Sequence, residues 1–397
     1  MTNIWIISQL FYPEETSTAN IMTKIAETLS EKNIVNVICS TSNYQSQSLK
    51  TNKLLKSNIN VIRINTPPLN KNNIFFRILL FLHFTFSVFL RILFKIKKND
   101  TVILVTNPPT ILFATAILKP IKSYKLIVIL QDIFPENASI SGIINKSSFI
   151  YEIVLRAMNY GYSKADKLIA CGKDMAQHFI NKGIELSIIN VIQNWADEEL
   201  FTTKHLVDRN EYFGLNLTNK IVIEFAGNIG RVQGLDKFLK IFSKSKNLNL
   251  VLLIIGNGAF KNKLENFVKD NNLKNVYFLN SKTRNEQVNF LNCCDIGLVT
   301  LSEGMYGLGV PSKVYNIMAC GKPILYIGDK FSEIDLYIKD NNIGWSFDWN
   351  YEDDILNYLN NLNEKIDIRF IGNNSKNFAF KHFRENIALD KYKKLLN

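Results

Sequence analysis

Thirteen short apolar runs alternate with stretches of helix length, and this alternation constrains the fold more than any other feature of the chain. The runs fall at 4–10, 35–40, 60–65, 101–106, 126–131, 167–171 and 188–192, and then at 221–225, 250–255, 276–279, 296–301, 324–327 and 344–347. Runs this apolar, without strict period-two alternation, are what a parallel sheet covered on both faces requires. Helices are expected at 20–32, 150–164, 173–182, 234–246, 259–271, 285–292, 312–320 and 352–362, with a terminal helix at 375–395. A chain of 397 residues exceeds what one core can hold, so two α/β domains are expected. The expected division is 1–200 and 201–375, with a C-terminal helix, 376–397, packing back on the first domain.

Ligands of open parallel sheets bind beyond the carboxyl ends of the strands. The unusual loops follow those ends: 11–18, 106–110, 132–137, 227–233, 256–259 and 302–312. The segment GVPSKVYNIMACGKPIL, 309–325, reads as a loop, a helix with Ser312 at its N-cap and Gly321 at C′, then a new strand. Lys313 adds a full charge at that helix entry, which suits a phosphate or diphosphate. In FAGNIGRVQGLD, 225–236, Gly227, Gly230 and Gly234 let the backbone turn and approach a ligand, and Arg231 offers a donor fork. The spacing is not that of the dinucleotide fingerprint.

These two segments, with SQLFYPEETSTAN (8–20), QDIFPENA (131–138), IQNWAD (192–197) and IIGNGAFKNKL (254–264), resemble the retaining family 4 glycosyltransferases of the GT-B fold. The bacterial surface-polysaccharide subgroup that includes fucosamine transferases is the most similar. The resemblance implies two Rossmann-like parallel-sheet domains facing across a cleft, with a C-terminal helix crossing back. It implies retaining transfer of a sugar, such as an acetamido-deoxyhexose, from a nucleoside diphosphate, UDP favoured, to a polyprenyl-diphosphate-linked glycan in O-antigen, capsule or exopolysaccharide synthesis. In such chemistry the leaving phosphate helps to deprotonate the acceptor, so the protein supplies cations and N–H donors rather than a nucleophile.

The donor site so implied comprises Gly227, Asn228, Gly230, Arg231, Gln233, Gly256, Gly258, Arg284, Ser312, Lys313 and Asn316, with a nucleobase near the backbone of 279–283. Asp132, at a strand end, would orient the acceptor, and Glu303 is the second candidate catalytic carboxylate. Three positions depart from the family pattern. Asn228 and Gln233 stand where basic residues are usual, and Asn316 stands where a glutamate holds sugar hydroxyls. No Asp-x-Asp pair is present to hold a metal, and no cofactor is implied. A GT-B-fold sugar-nucleotide 2-epimerase and a non-catalytic sugar-nucleotide- or lipid-binding subunit share the layout.

Charge is concentrated. Residues 50–125 carry 13 Lys/Arg against one acid, Asp100, which equals the net +12 of the whole chain. Within this window, 72–100 is an aromatic-rich apolar run bearing Arg77, Arg91, Lys95, Lys97 and Lys98. Its charge-free part, 78–90, is too short to cross a bilayer of about 30 Å. An interfacial helix on an anionic membrane surface is therefore expected. Nucleic acid is not an expected partner, because the cations are interleaved with Leu, Ile and Phe rather than with polar groups. The five cysteines lack metal or disulfide spacing, and the N-terminus lacks the basic and small-residue elements of a signal peptide. A cytoplasmic enzyme, peripheral on the inner face of the plasma membrane, is the expectation.

Overall fold

A computed structural model describes residues 3–41, 55–69, 73–202, 207–363 and 367–396. Parts of the basic window (50–54 and 70–72) and of the expected interdomain loop (203–206) lie outside these. The chain forms two compact units, Met1–Gln193 with Ala388–Asn397, and Asn194–Ile387. The first break thus falls at 193/194, where the sequence suggests 200.

In the first unit a seven-stranded sheet contains β1 (Asn3–Ile7), β2 (Ile34–Ser40), β3 (Ile59–Ile64), β4 (Thr101–Val105), β5 (Lys125–Leu130), β6 (Lys167–Ala170) and β7 (Ile189–Val191). Its order is β3-β2-β1-β4-β5-β6-β7, and every pairing is parallel. Helices α1 (Ser17–Leu29), α2 (Ile74–Lys95), α3 (Thr110–Lys122), α4 (Glu136–Ile140), α5 (Phe149–Ser163) and α6 (Lys173–Asn181) fill the crossovers. Right-handed crossovers assign their sides. The steps from β1 to β3 run one way across the sheet and carry α1. The steps from β3 to β7 run the other way and carry α2, α3, α5 and α6 on the opposite face.

In the second unit a six-stranded parallel sheet has the order β10-β9-β8-β11-β12-β13. Its strands are β8 (Ile221–Ala226), β9 (Leu250–Ile255), β10 (Val276–Leu279), β11 (Ile296–Thr300), β12 (Ile324–Ile327) and β13 (Gly344–Phe347). Helices α7 (Glu199–Thr202), α8 (Arg209–Phe213), α9 (Leu235–Phe242), α10 (Lys261–Asp270), α11 (Gln287–Cys293) and α12 (Lys313–Ala319) are followed by α13 (Glu333–Asn341), α14 (Glu352–Asn361) and α15 (Ile368–His382), while α16 (Glu385–Leu396) starts in this unit and lies mostly in the first. All six residues of β9 are buried, as a strand covered on both faces must be.

Three features differ from the sequence reading. Helix α3, preceded by Pro108-Pro109 and containing Pro120, helix α13, and the short helices α4, α7 and α8 were not expected. The terminal helix is two helices, broken at Phe383, whose carbonyl accepts from Ala196 N at 2.9 Å and whose ring packs edge-on against Tyr315. Tertiary contacts there outweigh a continuous helical pattern. Helix α2 is also longer than its charge-free stretch. At 22 residues it spans about 33 Å.

Candidate active site

In the second unit the loops after β8 and β9 are laced together. Gly227 N donates to Ile255 O and Ile229 N to Asn257 O, both at 2.9 Å, and Phe260 N donates to Ile229 O at 3.0 Å. A Cβ on Gly256 would stand 1.9 Å from Gly227 O, and one on Gly258 would stand 2.3 Å from Ile229 O. These two glycines are therefore needed for the loops to touch. Gly227 and Asn228 face solvent at the top of this pair, and Gly230 precedes a 3-10 turn, Arg231–Gln233. Arg231 is exposed, with its guanidinium 5.2 Å from the ring centroid of Phe260.

Lys313 opens α12, whose buried residues Val314, Tyr315, Ile317 and Met318 fix the helix on the sheet. Ser312 occupies the cap position, but it has helical dihedrals and its side chain makes no capping bond. Lys313 Nζ lies 3.2 Å from the ring centroid of Phe225, is buried, and has no hydrogen-bond partner. Burial pushes its pKa well below the usual lysine value. A Cβ on Gly227 would be 3.4 Å from both Cε and Nζ, so the amine lies directly behind the exposed glycine loop. Gln233 Oε1 is likewise buried without a partner. An amine with no hydrogen-bond partner, beside open backbone, has the chemistry to receive an anion.

The loop after β11 is held by Ser302 N donating to Val232 O at 2.9 Å and by Trp349 Nε1 donating to Leu301 O at 2.6 Å. Asp329 accepts from Gly304 N at 3.0 Å and Tyr306 N at 2.6 Å. Glu303, in the same turn, is exposed.

Arg284 and Asn316 meet at a third residue, Asp197. Asn316 Oδ1 accepts from Asp197 N at 3.0 Å and its Nδ2 donates to Asp197 Oδ2 at 3.3 Å, while Arg284 is ion-paired with Asp197 Oδ1. A glutamate at 316 would set a second carboxylate against Asp197, so asparagine is the residue that fits. Asp197 was legible only as the end of IQNWAD. Lys282 pairs with Glu286 at 3.2 Å rather than standing free.

In the first unit Asp132 follows β5 and remains solvent-exposed, while desolvation by the surrounding protein raises its carboxyl to about 6. Its backbone oxygen accepts from Thr106 Oγ1 at 3.1 Å, which ties it to the loop before α3. Glu136, four residues on, behaves oppositely: burial opposes its ionisation, but the nearby His178 ring, its Nε2 3.7 Å away, and the ion pair with Lys182 hold it at about 2. Two neighbouring carboxylates thus have divergent proton affinities, and Asp132 is the one near neutrality. Of the basic residues named for the apolar window, Arg77, Lys95, Lys97 and Lys98 are exposed. Arg91 is partly buried and donates to Ser87 O at 2.9 Å.

The family description "Glycosyl transferases group 1" matches residues 208–377, which contain the laced glycine loops and Lys313. The chain is 31% identical to the probable glycosyltransferase WbjE of Pseudomonas aeruginosa over 332 residues, covering 82% of this chain and 81% of that one. It is 26% identical over 181 residues to the putative colanic acid biosynthesis glycosyl transferase WcaI of Escherichia coli K12, covering 44% of this chain and 43% of that one. The crystal structure of Anabaena Alr3699/HepE in complex with UDP-glucose has the same fold, with a TM-score of 0.75 at 17% identity over 100% of this chain and 99% of that one. Two Rossmann-like parallel-sheet units of GT-B type, with this sequence similarity, make the chain a member of the group 1 glycosyltransferases.

Proposed function

We propose that the protein transfers a sugar, an acetamido-deoxyhexose, from a nucleoside diphosphate to a lipid-linked glycan in bacterial surface-polysaccharide synthesis, as a retaining family 4 enzyme with UDP as the carrier. The observation that carries this is Lys313: a buried amine without a hydrogen-bond partner, behind the exposed backbone of Gly227. The diphosphate would take that vacant set of donors, with Arg231 free to swing onto it from Phe260. As the sugar–phosphate bond breaks, negative charge grows on the leaving oxygen, and fixed donors there stabilise the transition state. The UDP and UDP-glucose complexes of Anabaena HepE and the colanic acid name of WcaI support the carrier and the polysaccharide setting. Asp132 would orient the acceptor hydroxyl, and Arg77, Lys95, Lys97 and Lys98 on and after α2 would hold the enzyme at an anionic membrane where such acceptors reside.

Titration calorimetry with UDP and with uridine tests the core of this reading. Wild type should bind UDP much more tightly than uridine, and Lys313→Met should lose most of that difference. Equal loss for both ligands would place Lys313 outside the diphosphate site. Incubation with UDP- and GDP-sugars, with and without a polyprenyl-diphosphate acceptor, then tests transfer: acceptor-dependent release of nucleotide is expected, and acceptor-free isomerisation would replace transfer with epimerisation.

A further inference from the structure

We infer that α2, α3 and α5 together form one face that docks on an anionic lipid bilayer. This deepens the membrane reading of α2 above, on which it rests. Each of the three helices is apolar on two sides. Helix α2 buries Leu80, Phe84, Val88 and Ile92 at four-residue spacing, yet Phe75, Leu82, Phe86 and Phe94 stand 64, 52, 63 and 78% exposed. Helix α3 buries Ile111, Leu112 and Leu118 and exposes Phe113, Ile117 and Ile121, again four apart. Helix α5 buries Tyr151, Met158 and Tyr162 and exposes Phe149, Ile150, Ile153 and Tyr160.

The inner stripes account for the first unit's own packing. Among the described residues of the unit the outer stripes stay exposed, and they lie on a common side because all three helices cover the same face of the sheet. The helices are also locked side by side. Thr85 Oγ1 meets Thr110 Oγ1 at 2.6 Å, Lys122 Nζ donates to Leu93 O at 2.8 Å, and α5 approaches α3 so closely that a Cβ on Gly161 would stand 2.6 Å from Leu112 Cγ. A contiguous apolar surface of this kind marks an interaction site.

Charge selects the occupant. Arg77, Arg156, Lys95, Lys97 and Lys98 are exposed on these helices or directly after α2, and Glu152 is the one acid the three helices contain. Asp100, the single acid of the basic window, is buried and accepts from Trp5 Nε1 at 3.0 Å and Lys97 N at 2.9 Å, so it is spent inside the fold. Two copies of so basic a face would repel each other, whereas anionic headgroups satisfy the cations while aromatic and aliphatic side chains enter the acyl boundary. Helix α2 is long and apolar enough to cross a membrane by length and composition. Its buried stripe packs in the unit instead, so it lies in the interface.

Co-sedimentation with phosphatidylglycerol/phosphatidylcholine vesicles and with pure phosphatidylcholine vesicles tests the face. The informative variant avoids α2: Ile117→Ser, Ile121→Ser, Phe149→Ser and Ile153→Ser combined, all exposed positions, with an unchanged melting temperature as the check of folding. Partition into anionic vesicles should fall by about tenfold or more relative to wild type. Lys95→Gln, Lys97→Gln and Lys98→Gln combined should abolish the preference for anionic over neutral vesicles. Wild-type partition by the α3/α5 variant would confine docking to α2 and overturn the inference. No vesicle binding by wild type would remove the membrane reading itself. A wild-type dimer in analytical ultracentrifugation that the α3/α5 variant turns into monomer would make the face a protein interface instead.

Discussion

Lys313 carries the cost of its own site. A buried amine with no hydrogen-bond partner is unfavourable whenever it is charged, so the folded state binds protons there more weakly than the unfolded chain does. Stability should therefore rise with pH between the depressed folded value and the ordinary lysine value. Lys313→Met should raise the melting temperature, by about 1–3 kcal/mol of stability, while weakening UDP binding. On the proposed reading, a diphosphate bound beside Nζ would reverse the preference and draw a proton onto it. Calorimetry in buffers of different ionisation enthalpy should show proton uptake with UDP that disappears in Lys313→Met; uptake unchanged in the variant would assign the proton elsewhere. Asp132 gives a second pH signature. With its carboxyl at about 6, the ionised form that the proposed contact with the acceptor hydroxyl would require is lost as pH falls through that value. The pH profile of kcat should decline below about 6, and Asp132→Asn should be slow at every pH with that limb gone.

At the scale of elements, the site is built from contacts between loops and helices that no single loop reveals. The glycine spacing of 227–234 and 256–258 was visible as a pair of strand-to-helix turns. That Gly256 and Gly258 exist for loop-on-loop contact depends on β8 and β9 being neighbours in the sheet. Gly256→Ala should cost about 3 kcal/mol or more, because the new Cβ meets backbone rather than a movable side chain. Asn316 makes the same point. In the sequence it was a departure from a family glutamate, and only its bonds to Asp197, 119 residues away, show why asparagine fits. Asn316→Glu should lower the melting temperature of the second unit by placing two carboxylates together, and Asp197→Asn should restore much of the loss in the double variant. Additive losses in that cycle would dissolve the network as an explanation.

For the molecule as a whole, the parallel sheets were legible because strands buried on both faces must be apolar throughout, and each of the thirteen runs corresponds to a strand. The helices were less so. Helix α3 was hidden by its prolines, and the break at Phe383 was hidden because its cause is Ala196, far away in the chain. Residues Ala388–Asn397 belong to the first unit although α16 begins in the second. Ala388, Leu389 and Tyr392 are buried, Lys393 pairs with Glu31 at 2.9 Å, and Lys391 Nζ donates to Gln193 Oε1 at 3.4 Å. Burying a tyrosine and a leucine contributes on the order of 3 kcal/mol, whereas the exposed ion pair adds little. Truncation after Ile387 should therefore destabilise the first unit and leave the second nearly unchanged. Hydrogen exchange with peptide resolution checks this: protection should fall in β6 and β7 of the truncated chain, with β8 and β9 exchanging as in wild type. An equal fall in both units would show that they unfold as one, and no fall in either would reduce the C-terminal segment to an appendage.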